Sequence, residues 1–152
     1  MKYIKSYDKI FENIITELNY SYQHLLELPD LPDILKVLHC SNNDLIELPK
    51  LPDTLTLLYC RNNKLIKLPE LPDSLEILYC YNNKLIKLPE LPDTLTYLYC
   101  ENNNLTELPN LPDSLKQLNC RNNNLPYTNL PEYKKWYAKT YPDRVEAKKY
   151  NL

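Results

Sequence analysis

The chain has 152 residues, and its 18 Lys and Arg against 20 Asp and Glu give a formal net charge of −2. That balance excludes whole-molecule steering toward nucleic acid or an anionic membrane, and no stretch is long and apolar enough to span a bilayer. The length is that of one domain, and the charged opening of the chain lacks the apolar core of a secretory signal peptide.

Residues 1–27 are predicted to form an N-terminal cap. Ser6 or Asp8 suits a helix cap, and Ile10, Phe11, Ile14, Ile15 and Leu18 recur at helical spacing, which predicts a helix to about Leu18. A second register competes. Moved by twenty residues, Ile15, Leu18, Tyr20, Gln23 and Leu25 fall on the slots of the repeat that follows. The two together predict a helix ending near Leu18 that feeds a degenerate strand around Tyr20.

Residues 28–127 repeat themselves. Cysteine stands at positions 40, 60, 80, 100 and 120, and five units surround it: Leu28 to Glu47, Leu48 to Lys67, Leu68 to Lys87, Leu88 to Glu107 and Leu108 to Tyr127. The consensus is L-P-x-L-P-D-x-L-x-x-L-x-C-x-N-N-x-L-x-x. A fixed period of this size means a solenoid, and Leu55 to Leu65 fits the pattern L-x-x-L-x-L-x-x-N-x-L. Alternation predicts a short strand with Leu58 and Cys60 inward and Leu57, Tyr59 and Arg61 on the concave surface. Asn63 falls at the turn after it, where its amide can bond orphan backbone groups. Pro49 and Pro52 forbid a helical return and favour an extended, polyproline-like path. Asp53 is expected to close an Asx-type turn before the next strand. The chain has no glycine, so positions with φ > 0 are expected to fall to asparagine or aspartate.

One repeat cannot fold alone. Burying a leucine stabilises by roughly 1.5–3 kcal/mol, and about five leucines per unit do not offset a backbone cost of roughly 1–2 kcal/mol per residue. Stacking is required, because each unit covers its neighbour's open face.

The motif resembles the 20-residue leucine-rich repeats of secreted bacterial effectors, which share the form LPxLPxxLxxLxVxxNxL. With cysteine in the strand and Asn-Asn after it, the unit is also similar to repeats of giant amoebal viruses. The resemblance covers residues 28–127. It implies a recognition surface. Some such effectors add a ubiquitin-ligase domain with a catalytic cysteine, and residues 128–152 contain no cysteine. A recognition module without the ligase is what the resemblance implies here.

Residues 128–152 are predicted to be a C-terminal helical cap. Pro131 sits near the start of one helix and Pro142 opens a second. Each end of a solenoid leaves an apolar face and a strand edge that need cover.

The cysteines are expected to be buried, reduced and structural. A ladder of parallel side chains cannot converge tetrahedrally on zinc, and neighbouring Cβ atoms about 4.8 Å apart exceed disulfide spacing. Free thiols in number point to a reducing, cytoplasmic compartment. Lys64, Lys67, Lys84 and Lys87 read as a solvated charged face that Glu70 and Glu90 dilute, so nucleic acid is disfavoured as a partner. The aspartate row at 33, 53, 73, 93 and 113 makes five similar environments, whereas carboxylate catalysis needs two unlike ones.

Three surface columns carry the functional expectation. The central one reads His39, Tyr59, Tyr79, Tyr99, Asn119; the one before it Val37, Leu57, Ile77, Tyr97, Gln117; the one after it Ser41, Arg61, Tyr81, Glu101, Arg121. Exposed apolar patches with tyrosine and arginine mark interaction sites. The expectation is a monomeric, non-enzymatic scaffold without cofactor or metal. It would bind a protein partner through Leu57, Tyr59, Arg61, Ile77, Tyr79, Tyr81, Tyr97, Tyr99, Glu101 and Arg121. Two alternatives are a substrate-selecting adaptor for a separate enzyme such as a ubiquitin ligase, and a purely structural repeat protein.

Overall fold

Each repeat contributes only three residues to a strand, so the sheet is built from register rather than strand length. The computed structural model describes residues 15–149. Six strands, β1 (Glu17–Asn19), β2 (Val37–His39), β3 (Leu57–Tyr59), β4 (Ile77–Tyr79), β5 (Tyr97–Tyr99) and β6 (Gln117–Asn119), precede helices α1 (Leu130–Thr140) and α2 (Pro142–Lys149). The strands form one parallel sheet in sequence order. Every pairing is offset by one repeat, as in Leu57↔Ile77, Leu58↔Leu78 and Tyr59↔Tyr79. This is the leucine-rich-repeat solenoid that the sequence predicts.

The core follows the consensus. Leu38, Leu58, Leu78 and Leu98 at the strand centres are fully buried, as are Leu35, Leu55, Leu75 and Leu95 before them and Leu45, Leu65, Leu85 and Leu105 after them. All five cysteines are buried and unbridged. The ladder of backbone bonds runs on beyond each strand, with Cys60 N–H donating to Tyr79 O at 2.9 Å and Asn62 N–H to Tyr81 O at 3.0 Å. The return segments hold neither helix nor strand.

The two asparagines of each Asn-Asn pair divide the turn between them. The first takes the left-handed backbone, with φ of 53–58° at Asn42, Asn62, Asn82, Asn102 and Asn122. Their side chains link in a file, Asn62 Nδ2 donating to Asn42 Oδ1 at 2.7 Å and Asn82 Nδ2 to Asn62 Oδ1 at 2.6 Å. The second asparagine turns inward. Asn63 Nδ2 donates to Cys40 O and Cys60 O, and Asn63 Oδ1 accepts from Leu45 N–H. One amide thus serves two repeats, as expected of Asn63.

Three expectations need correction. The predicted helix end near Leu18 falls instead in strand β1, which pairs Leu18 with Leu38 in the twenty-residue register. Pairing satisfies backbone groups and sets Leu18 against the core, so the competing register describes this stretch. Ile10, Phe11 and Ile14 lie outside the described residues. The turn before each of β2 to β6 is closed by backbone, as in Leu55 N–H to Pro52 O at 3.1 Å, so an Asx bond from Asp53 has no N–H left to take. The side-chain tie belongs instead to the next residue: Thr54 Oγ1 donates to Asp33 O and Leu35 O of the preceding repeat, both at 2.8 Å. Ser74 and Thr94 do the same one and two repeats on. Finally, Tyr22 and His24 also adopt φ > 0, at 62° and 56°, outside the asparagine–aspartate rule. Tyr22 stands where a further repeat would have its asparagine, which leaves Asn42 Nδ2 buried without a partner.

The C-terminal end of the sheet is covered. Cys120 N–H donates to Thr128 O at 2.9 Å, and Asn119 bridges Asn129 antiparallel, which occupies the edge of β6. Asn129 caps α1 by accepting from Glu132 N–H, while Glu132 reaches back to Thr128 N–H at 2.8 Å. This is a variant of the reciprocal capping box. Tyr127 is 4% exposed and meets the rings of Tyr133 and Trp136 at 5.0 Å each.

Candidate functional site

The concave face is set by strand alternation. With Leu58, Leu78 and Leu98 committed to the core, the residues on either side must point outward. Leu57, Tyr59, Ile77, Tyr79, Tyr97 and Tyr99 all lie half-buried on that face, with Arg61, Tyr81 and Glu101 following their strands. Half-burial comes from one another. Tyr59 and Tyr79 meet edge-on with ring centroids 5.1 Å apart, as do Tyr79 and Tyr99 at 4.6 Å, while Tyr81 lies tilted to Tyr79 at 6.5 Å. Leu57, Ile77 and Tyr97 sit abreast in the adjoining column. Arg61 Nη1 donates to Tyr81 Oη at 2.6 Å, which fixes a cation at one margin.

The face extends further than the expected residues. His39 stacks on Tyr59 at 4.6 Å with the rings nearly parallel, and its Nε2 lies 3.3 Å from Glu17 Oε1. At the other end Tyr99 Oη donates to Gln117 Oε1 at 2.6 Å. His39 and Gln117 stand in the columns already named. Glu17 was missed, although the twenty-residue shift that aligns Leu18 with Leu38 also aligns Glu17 with Val37. Beyond β6 the face runs into a depression of about 620 Å³ bordered by Tyr99, Gln117, Asn119, Arg121 and Glu132. Arg121 is exposed there, apart from the tyrosine file.

Burial dominates the electrostatics of this face and of the core behind it. Burial pushes the Tyr79 phenol above its ordinary value, and the surrounding Tyr99, Tyr59, Tyr81 and Tyr97 push the same way. Burial also raises the Glu101 carboxyl, against the opposing pull of its own backbone N–H and of Arg121. Glu101 Oε2 is buried without a hydrogen-bond partner. Behind the face, burial lifts the Cys40 thiol to about 12 and holds Cys60, Cys80 and Cys100 well above the usual thiol range. Nucleophilic cysteine chemistry needs the thiolate, and these thiols stay protonated at neutral pH.

No family model and no curated protein matches the chain. Solved structures do. YopM from Yersinia enterocolitica WA-314 is similar at 42% identity with a TM-score of 0.73, over 78% of this chain and 28% of YopM. A Shigella effector LRR domain is similar at 39% identity with a TM-score of 0.72, over 79% of this chain and 55% of that one. The chain thus spans about a quarter to a half of the length of the proteins it matches. It is a leucine-rich-repeat protein built of 20-residue repeats similar to those of these bacterial effectors.

Proposed function

We propose that the protein is a non-enzymatic interaction scaffold that holds a protein partner on its concave tyrosine face. The observation that carries this reading is the file His39–Tyr59–Tyr79–Tyr99, with Leu57 and Ile77 left open beside it. A tyrosine ladder alone would serve the sheet. Aliphatic side chains on an open face have no such role and mark a surface that a partner covers. Arg61, Glu101 and Arg121 supply the polar rim. The likeness to effector repeats supports the same class of function. Five unbridged thiols fit a reducing cytosol, the compartment a delivered effector would meet. No helix among the described residues is long and apolar enough to cross a membrane. The protein acts as a monomer, and α1 and α2 serve as its cap.

A pull-down from candidate host lysate tests the reading. Wild type should retain a partner that the Tyr79→Ala/Tyr99→Ala variant loses, while Lys64→Ala/Lys84→Ala retains it. Failure of the tyrosine pair to release any retained partner would overturn the concave assignment.

A further inference from the structure

The flank that follows the Asn-Asn turn carries a second apolar row. Ile46, Ile66 and Ile86 are 59%, 55% and 61% exposed, although each lies between a buried leucine of its own repeat and the buried leucine that opens the next. Leu26 continues the row at 71%. The row is rigid. Lys64 N–H donates to Leu45 O and Lys84 N–H to Leu65 O, both at 2.9 Å, and Asn104 N–H to Leu85 O at 2.8 Å. Adjacent repeats are therefore hydrogen-bonded immediately before each isoleucine. Lysines flank the middle of the row, with Lys64 and Lys84 on one side and Lys67 and Lys87 on the other, all exposed. Lys64 also pairs with Asp44 at 2.8 Å.

We propose that this row is a second docking site, one that takes an acidic amphipathic α-helix of a partner protein laid along the solenoid. Spacing selects the helix. Hydrogen-bonded neighbours lie about 4.8 Å apart, and a helix rises about 5.4 Å per turn. One apolar residue per turn can thus meet each isoleucine in succession, with a slip of about 1 Å over the three. An extended chain presents same-face side chains about 6.7 Å apart and loses step by the third. Charge selects acidic flanks. A helix about 10 Å wide covers the Lys–Ile–Lys stripe, and carboxylates on both sides of its apolar face would meet Lys84, Lys67 and Lys87. A flat anionic bilayer would meet Glu70 and Glu90 as well, which cancel the lysines. A second copy paired about a two-fold axis would set the lysine-rich middle against itself.

Panning a random 16-residue peptide library against the intact protein, with counter-selection on the Ile66→Asp/Ile86→Asp variant, tests the proposal. The urea midpoint of the variant checks its fold, and Ile66→Ser/Ile86→Ser replaces it if the aspartates destabilise. Peptides that prefer wild type at least tenfold should carry apolar residues at i, i+3 or i+4, and i+7 with Asp or Glu beside them. They should weaken at least threefold on Lys67→Ala/Lys87→Ala. Discriminating peptides that are basic or show strict alternation would overturn the proposal, and so would a failure to recover any. Two further results would also overturn it. One is flotation with phosphatidylserine vesicles that depends on Ile66 and Ile86. The other is a dimer in sedimentation that the aspartate variant abolishes.

Discussion

The five repeats are alike on the inside and unlike on the outside. The inward columns read leucine at 38, 58, 78, 98 and 118, cysteine at 40 through 120, and asparagine at 43, 63, 83, 103 and 123, without exception. The concave columns change at nearly every step, from His39 through three tyrosines to Asn119 and from Ser41 through Arg61, Tyr81 and Glu101 to Arg121. Inside, each side chain has one geometry to satisfy and two neighbouring repeats to fit, so one residue type serves throughout. Outside, the backbone asks nothing of the side chain, and its identity is left to whatever the surface meets. Changes to the inner columns should therefore lower stability and spare recognition, and changes to the outer columns should do the reverse.

Alkali gives the largest expected effect. The unfolded chain releases its thiol protons near pH 8.5, whereas Cys40 and Cys120 hold theirs to about pH 12 and burial holds the middle three well above the usual thiol range. Above about pH 8.5 the unfolded state binds fewer protons than the native one, so stability falls as pH rises. The slope is about 1.4 kcal/mol per pH unit for each thiol, and the five together reach on the order of 7. Below pH 8 this contribution is fully present. Urea midpoints at pH 7.5, 9 and 10 measure it, and Cys60→Ala/Cys80→Ala should flatten the slope by roughly two fifths. A midpoint that holds level to pH 10 would show that the cysteine column is not part of the inside at all.

Asn63→Ala comes next. It removes the acceptor for Leu45 N–H and the donor shared by Cys40 O and Cys60 O. Buried groups left unpaired cost about 1–3 kcal/mol each, so a loss of about 3 kcal/mol in urea unfolding is expected. Partner affinity of the folded fraction should not change. This residue shows how much was legible in the sequence. Period, strand register, inward leucines and cysteines, and the role of Asn63 all follow from a repeat that must bond to its own copies. The concave face was legible for the same reason, since alternation assigns Leu57 and Tyr59 once Leu58 is inside. What escaped was set by neighbours rather than by pattern. The Thr54, Ser74 and Thr94 ties reach back 19 to 21 residues. β1 displaced helical periodicity because a strand partner lay twenty residues on. Ile66 falls at a variable position of the repeat, and only burial shows an apolar side chain left out there.

Tyr79→Ala/Tyr99→Ala probes the outer half of the comparison. Anchors central to an interface cost about 2 kcal/mol or more on truncation, so the pair should weaken partner binding at least tenfold, or about 1.4 kcal/mol. Cross-strand aromatic pairs contribute only about 0.2–1 kcal/mol each to a sheet, so the urea midpoint should move less than for Asn63→Ala. A midpoint shift as large as that of Asn63→Ala, with affinity retained, would assign the tyrosine ladder to the inside group.

Asn62 lies on the boundary between the two groups and gives the smallest and sharpest test. Its backbone is constrained like an inner residue, at φ 54°, while its side chain lies in the solvent-facing file with Asn42 and Asn82. Alanine at this position pays about 1 kcal/mol for the left-handed conformation, which glycine adopts without a Cβ clash. If the backbone is what matters, Asn62→Ala should lower the unfolding free energy by about 1 kcal/mol more than Asn62→Gly does. If the two variants fall equally, the amide file holds the turn, because both remove its bonds to Asn42 and Asn82 alike. The same asparagine would then be repeated for its side chain, and an exposed column could be kept uniform by contact between neighbours, which would narrow the inside–outside contrast to the strand face itself.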